Sequence, residues 1–153
     1  MAQNSTRLAD FLPYLMSVTT NAVSDLIAAE YRVRYGLKIP EWRVMAVLGD
    51  AGARTQRDLV AATRMDKVAV NRACKALEER GLAARSPNAR DGRSHHLQLT
   101  PAGQAIHAEI MPHALEMEQR LFAVFSAAEQ AQFKDLLRRI GERAQALETE
   151  EPR

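Results

Sequence analysis

The chain has 153 residues, of which 46% are hydrophobic and 26% charged, and its formal net charge is only +2. A chain of this length can bury a core unaided, and a single cysteine excludes an internal disulfide framework. It has no apolar run long enough to span a bilayer, and its N-terminus lacks the features of a secretion signal. We therefore expect a cytoplasmic protein without a membrane partner.

Two helices are predicted at the start of the chain. Residues 11–35 form the first, which ends at Gly36, because small and apolar residues recur at heptad-like spacing (Leu12, Leu15, Thr19, Ala22, Leu26 and Ala29). Pro40 opens the second, which runs to about Asp50, since proline suits the first helical position. The apolar stripe of this helix consists of Trp42, Met45 and Leu48.

The next two predicted helices form a helix-turn-helix. Thr55 caps the third helix, with Asp58 three residues on in the position of a capping box. Asp66 caps the fourth helix, whose small and apolar residues mark one buried face (Val70, Ala73, Cys74 and Leu77). A short helix, a tight turn at residues 63–65 and a second helix with polar outward residues is the pattern of this DNA-binding motif.

A basic β-hairpin is predicted beyond Gly81. Residues 82–87 and 94–99 pair, because Leu97 and Leu99 alternate with polar residues. The loop between them carries an Asp-Gly turn signal. Residues 54–96 hold ten Lys and Arg against five Asp and Glu. A basic hairpin beside an exposed helix suits duplex DNA, although an unevenly charged solvated surface has the same composition.

Two further helices complete the prediction. Thr100 and Pro101 start the fifth, which runs to about Phe125, and Ser126 starts the sixth with Glu129 in a capping box. The predicted fold is mainly α with a small β-hairpin wing in a single domain, 1–153. A winged helix-turn-helix occupies 37–100, and 8–36 with 101–148 form a helical dimerisation region. The terminal helices carry more apolar surface than a small core covers, which favours a homodimer over a monomer in which they fold back.

Two segments, LEERGLAAR (77–85) and DGRSHHLQLTPAG (91–103), resemble parts of the MarR family of bacterial transcriptional regulators. LEERGLAAR (77–85) resembles the end of the family's recognition helix and its first wing strand. DGRSHHLQLTPAG (91–103) is similar to its wing signature, although Gly92 stands where members often have a basic residue. The resemblance implies a homodimer with interlocking terminal helices, and often a small-molecule pocket between its lobes. It also places Arg93 in the minor groove, with Asp91 orienting the guanidinium.

Several residues are predicted to contact DNA. Asn71 can pair with an adenine edge and Arg72 with guanine, although one of the two could touch only phosphate. Arg93 suits the negative potential of a narrow minor groove, while a surface ion pair with Asp91 that stabilises the turn is the alternative. The remaining candidates are expected to meet the phosphate backbone: Gln56, Arg57, Lys67, Lys75 and Arg90.

An effector pocket is predicted on weaker grounds. Trp42 and Arg43 could hold a carboxylate or phenolate, although a core tryptophan beside a surface arginine explains them slightly better. Tyr14, Asn21 and Tyr31 are candidate wall residues. If a ligand binds, the resemblance suggests an aromatic carboxylate or a phenolic compound.

Redox and metal chemistry are not expected. Cys74 lies on the buried stripe, where a thiol is inert. His95 and His96 point to opposite faces of a strand, and His107 and His113 lack metal-ligand spacing, so we predict no metal and no cofactor.

The sequence as a whole predicts a homodimeric, sequence-specific regulator that binds a palindromic operator in double-stranded DNA. We expect a repressor that a small ligand releases. A winged helix that contacts proteins and has no effector is the alternative. An enzyme is not expected, because the chain shows no nucleophile–base pair, phosphate loop or paired carboxylates.

Overall fold

The structure is a computed structural model, which describes residues 7–87 and 94–150. After a short 3-10 turn at Leu8–Asp10, the chain forms α1 (Leu12–Tyr35), α2 (Ile39–Ala51), β1 (Arg54–Thr55), α3 (Gln56–Thr63), α4 (Lys67–Glu79), β2 (Ala83–Pro87), β3 (His95–Leu99), α5 (Pro101–Phe122) and α6 (Ala127–Glu150). The mainly helical fold with a small sheet confirms the predicted class.

Local sequence signals set the ends of the first two helices. Pro13 lies in the first turn of α1, and Gly36 ends that helix in the left-handed region at φ +62°. Such a conformation favours glycine, which has no Cβ to clash. At the start of α2 the Lys38 N–H donates to the Glu41 carboxylate at 2.9 Å, and Glu41 is the buried charged residue of the core.

The helix-turn-helix is built as the sequence predicts. The Asp58 N–H donates to Thr55 Oγ1 and the Thr55 N–H donates to the Asp58 carboxylate, both at 3.1 Å. The Ala69 N–H donates to the Asp66 carboxylate at 2.8 Å, which caps α4. Between α3 and α4 the chain turns at Arg64, a non-glycine residue with φ +57°.

The sheet has one strand more than the predicted hairpin. β3 lies in the centre and pairs antiparallel with both β2 and β1. Ala83 lies opposite Leu99 in the β2–β3 pair, and Arg54 lies opposite Leu97 in the β1–β3 pair. Sequence reasoning missed β1 because a strand of two residues is too short to show a period.

The core lies among α1, α2, α4 and the sheet. α4 packs against α2 and α3, and its buried stripe is the predicted one. Fully buried large side chains come from several elements: Tyr31, Leu37, Val44, Met45, Leu59, Val70, Leu77 and Ile110.

The chain divides into two compact units, Met1–Ala114 and Leu115–Arg153. In the first unit Thr100 caps α5, since its Oγ1 accepts the Gly103 N–H at 3.2 Å. In the second, Ser126 and Glu129 form the predicted capping box. α5 ends at Phe122 rather than near Phe125, and α6 continues to Glu150, past the predicted end at residue 148.

Two helices expose apolar side chains. On α1 these include Leu12, which is 69% exposed, with Leu15, Met16, Val18 and Leu26. On α6 the predicted stripe of Phe133, Leu136, Leu137, Ile140 and Leu147 is exposed as well. None of the described helices has the length and hydropathy that a membrane crossing requires.

Candidate nucleic-acid interface

The outer side of α4 is polar and basic. Lys67, Asn71, Arg72 and Lys75 are exposed, while the opposite side of the helix is buried in the core. The helix therefore has one face for folding and one face available to a partner.

Three acidic groups near this face are engaged in local structure. Asp66 is the cap of α4, and Glu78 pairs with Arg85 of β2. Asp58 accepts hydrogen bonds from Thr55, which lower the pKa of its carboxyl and keep it ionised as a cap. These carboxylates are thereby held in place, and none of them forms an ion pair with Arg57, Lys67, Arg72 or Lys75.

Four cations of α3 and α4, by contrast, have no partner in the described part of the chain. Among the residues that the structure describes, the side chains of Arg57, Lys67, Arg72 and Lys75 form no hydrogen bond or ion pair. Cations that are not committed within the protein can displace counterions from a phosphate backbone. This arrangement of exposed cations thus favours a polyanionic partner.

The other predicted contacts lie at the start of α3 and in the hairpin. Arg57 is exposed and Gln56 is half-buried. Gln56 lines a small gap together with Cys74, Arg85, His95 and Leu97. The predicted contacts Arg90, Asp91 and Arg93 lie outside the described residues, which include only the two strands that lead to that loop.

Several hydrogen bonds fix the end of α4 against its neighbours. The Arg80 guanidinium donates to the Tyr35 carbonyl at the end of α1. The Leu82 N–H donates to the Leu77 carbonyl at 2.9 Å, with Gly81 in the left-handed region at φ +70°. The Glu78–Arg85 pair joins the helix to β2. The position of α4 relative to the wing strands is thus set by contacts at its C-terminal end.

Trp42 belongs to an aromatic stack inside the first unit. Its ring lies 5.5 Å from that of Tyr31 and 5.8 Å from that of His107. Burial lowers the pKa of His107, against the opposing charge of Asp50. Sequence reasoning considered His107 only as a metal ligand and missed this packing role. The His107 ring also covers Gly49, where a Cβ would overlap the imidazole.

The predicted effector residues occupy different environments. Arg43 is half-buried and donates to Ser24 Oγ at 3.2 Å, which joins α2 to α1. Tyr31 is buried in the core beside Trp42. Tyr14 and Asn21 are exposed in the first half of α1. Trp42 and Tyr31 therefore contribute to the core, and the effector roles of all five residues remain predictions.

A cavity of about 360 Å³ lies between the end of α2, β3 and the start of α5. Its polar side chains are Gln98, Gln104 and His107, and its apolar wall includes Leu48 and Leu99. Arg43 does not line it. The cavity is thus separate from Arg43, the cation that was predicted to hold an acidic effector.

Cys74 and the histidines are placed as the sequence predicts. Cys74 is buried, and burial raises the pKa of its thiol to about 11. His95 is exposed and His96 is half-buried on alternate positions of β3. Within residues 7–87 and 94–150, no three potential metal ligands come together.

Comparison with known proteins identifies the fold. A solved structure of a probable transcriptional regulator from Pseudomonas aeruginosa is 30% identical to this chain. The match covers 88% of this chain and 99% of that one, with a TM-score of 0.74. Residues 35–94, which include α2 to α4 and the wing strand β2, match the model of the MarR family. The chain belongs to the MarR family.

Two further proteins are similar over most of the chain. The transcriptional repressor Rv2887 of Mycobacterium tuberculosis is 26% identical over 106 residues, which are 69% of this chain and 76% of Rv2887. BpsR of Bordetella bronchiseptica, whose DNA binding is regulated by 6-hydroxynicotinic acid, is 28% identical. That match covers 85% of this chain and 98% of BpsR, with a TM-score of 0.75.

These similarities agree with the geometry of α3 and α4. A MarR-family chain with a winged helix-turn-helix is a DNA-binding transcriptional regulator. The match to the family model confirms the family that the wing motif predicted. Rv2887 and the Pseudomonas aeruginosa protein are both named as transcriptional regulators or repressors.

Proposed function

We propose that this MarR-family chain is a homodimeric repressor that binds a palindromic duplex operator and is released by a small aromatic acid or phenol. The observation that carries the proposal is the exposed face of α4, whose lysines and Arg72 have no partner among the residues that the structure describes, while Asp66 and Glu78 are engaged in a cap and an ion pair. The name of Rv2887 as a repressor supports the sign of regulation.

The recognition helix α4 enters the major groove. Asn71 and Arg72 lie on its exposed side and read base edges, while Lys67 and Lys75 meet phosphates, with Gln56 and Arg57 of α3 beside them. In a symmetric dimer two such helices bind successive major grooves about 34 Å apart. The operator is therefore expected to be a palindrome with half-sites one helical turn apart.

The wing holds the adjacent minor groove. Arg93 reaches into it and Asp91 orients the guanidinium, as the resemblance implies, while Arg90 contacts phosphate. A narrow minor groove concentrates negative potential, which attracts an arginine whatever the base sequence.

Arg93→Ala should accordingly weaken binding to every operator sequence, whereas Asn71→Ala should change which operator is preferred.

The effector binds at Arg43. This guanidinium is half-buried and its described partner is a neutral hydroxyl, so it can pair with a carboxylate. The charge of Arg43 acts on Tyr31, whose ring lies 5.5 Å from that of Trp42. BpsR, whose DNA binding responds to 6-hydroxynicotinic acid, supports the class of ligand. Binding that is tighter in the free state than in the DNA-bound state would release the operator.

The DNA contacts are tested by salt-dependent binding with matched lysine variants. Fluorescence anisotropy is recorded on a duplex from the protein's own upstream DNA. Lys75→Ala should weaken binding and reduce the slope of log affinity against log salt by about one. Lys134→Ala removes the same charge from α6 and should change neither quantity. Equal behaviour of the two variants, or no sequence preference in the unaltered protein, would favour a winged helix that contacts proteins.

The effector is tested with 6-hydroxynicotinic acid as the probe. It should release the labelled duplex, and Arg43→Ala should raise the concentration needed by at least about tenfold, since a charge-assisted hydrogen bond is lost. The neutral amide of the same ring serves as the control and should not release DNA. Release that is unaffected by the substitution would contradict the role of Arg43.

A further inference from the structure

The exposed face of α4 contains one apolar side chain. Val68 is 60% exposed, and the other apolar side chains of the helix are at least partly buried. Residues 68, 71, 72 and 75 are spaced by three, four and seven, which places Val68 on the same helical face as Asn71, Arg72 and Lys75. An apolar group thus lies in line with the polar groups that are proposed to meet DNA.

Folding does not account for this side chain. Val68 belongs neither to the buried core nor to the partly buried side chains packed against it. It occupies the second position of α4, directly after the capped turn and next to Lys67. The N-terminal residues of a recognition helix are the ones that approach base edges. Val68 is therefore positioned to lose its exposed surface on DNA binding.

We propose that Val68 contacts the 5-methyl group of a thymine in each half-site and so selects T·A over C·G at that base pair. Thymine presents the apolar group of the major groove, and small apolar side chains recognise it. A valine has a stiff side chain, so little rotamer freedom is lost when it packs against the methyl group. This proposal rests on the proposed entry of α4 into the major groove.

The test removes single methyl groups from the DNA. A duplex is first selected from a random library by the unaltered full-length protein. Each thymine of one half-site is then replaced singly by deoxyuridine, which keeps the hydrogen-bonding edge and lacks the 5-methyl group. At the thymine that Val68 contacts, this replacement should lower the affinity about fourfold, as expected for loss of a buried methyl contact. When the same thymine is replaced in both half-sites, the affinity should fall about fifteenfold.

The protein variant identifies the residue that reads this methyl group. Val68→Ala keeps an exposed helical position and should bind thymine and deoxyuridine duplexes equally at that position. Val33→Ala is the matched control, since Val33 is an exposed valine at the end of α1, and it should keep the full difference.

Each outcome has a distinct meaning. If deoxyuridine has no effect at any thymine, or if Val68→Ala keeps the difference, the proposal for Val68 is overturned while selection of a duplex still supports the DNA-binding role. If the protein selects no duplex at all, the proposed function fails and the assignment of Val68 fails with it.

Discussion

At Cys74 the fold controls the chemistry of a single thiol. The sequence placed this residue on the inner stripe of α4, and the structure buries it with Val70, Ala73 and Leu77. Because burial disfavours the charged thiolate, the pKa of the thiol is raised to about 11. An oxidant sensor requires the opposite, a thiolate at neutral pH.

The first prediction concerns the reactivity of Cys74. At pH 8 only about one thiol in a thousand is ionised with this pKa, and the sulfur is shielded as well. A chromogenic disulfide reagent should therefore label the native protein more than about a hundredfold more slowly than the chain in guanidinium chloride. The chain has one cysteine, so the signal reports this site alone. Rapid labelling of the native protein would show that α4 is not packed as described.

A second residue-scale prediction concerns His107. Burial lowers its pKa in the folded chain, whereas in the unfolded chain it titrates near pH 6.5. Above that pH the ring is neutral in both states, and below it only the unfolded chain binds the proton readily. The free energy of unfolding should therefore fall as the pH falls through this region toward the folded-state pKa.

The variant His107→Phe measures that contribution, since it keeps an aromatic ring against Trp42 and cannot titrate. Denaturant unfolding, followed by the fluorescence of the single tryptophan, is compared at about pH 7.5 and about pH 5.5. The loss of stability on acidification should be smaller in the variant than in the unaltered chain. An equal loss in both proteins would mean that other groups account for the pH dependence.

At the scale of elements, helix ends follow from short sequence signals. The capping residues Thr55, Asp66 and Ser126 form the predicted hydrogen bonds. The strands flanking the wing loop also match the prediction closely. These features depend on neighbours within a few residues, which is why periodicity and capping rules could locate them.

Two glycines give a matched pair of stability predictions. Gly81 has φ +70° and no atom near the position of a Cβ, so Gly81→Ala should cost about 1 kcal/mol through backbone strain alone. Gly141 lies within α6, also with open space around it, so Gly141→Ala should add about 1 kcal/mol by helix propensity. Thermal unfolding should thus shift in opposite directions. A shift of the same sign would contradict the left-handed turn after α4.

The structure also explains the glycine at the end of the wing signature. It ends in Gly103, and the structure places that residue against the Leu82 carbonyl oxygen, which a Cβ would overlap. The same carbonyl accepts the Thr100 N–H at 3.1 Å. The resemblance identified the glycine, but only the packing of α5 on the wing explains why a side chain cannot be accommodated there.

At the scale of the whole molecule, the apolar faces of α1 and α6 carry the proposal of a homodimer. Their leucines and isoleucines are exposed in the single chain. A surface of this kind usually marks an interface, because burying it is favourable. Leu12, Leu15 and Leu26 of α1 belong to the heptad-like set that the sequence predicted, and the exposed residues of α6 form its predicted stripe.

A double variant tests the dimer. Leu136→Lys with Ile140→Lys places two charges on the apolar stripe of α6 and should shift the mass in solution from twice the chain mass of 17.1 kDa to the monomer value. Ala131→Lys adds a charge on the opposite, polar face of α6 and should leave the dimer intact. Light scattering after size exclusion gives the mass. A monomeric unaltered protein would contradict the proposed mode of operator binding.

The sequence by itself determined the helix order, the caps, the buried stripe of α4 and, through the wing motif, the family. Each of these depends on local spacing or on a short pattern. Only the tertiary structure decided that β1 joins the sheet, that His107 stacks on Trp42, and that Val68 is an exposed apolar side chain which the core does not use. The first two features arise from contacts between residues distant in the chain, and such contacts leave no period in the sequence, while the exposure of Val68 depends on which side chains the core takes up.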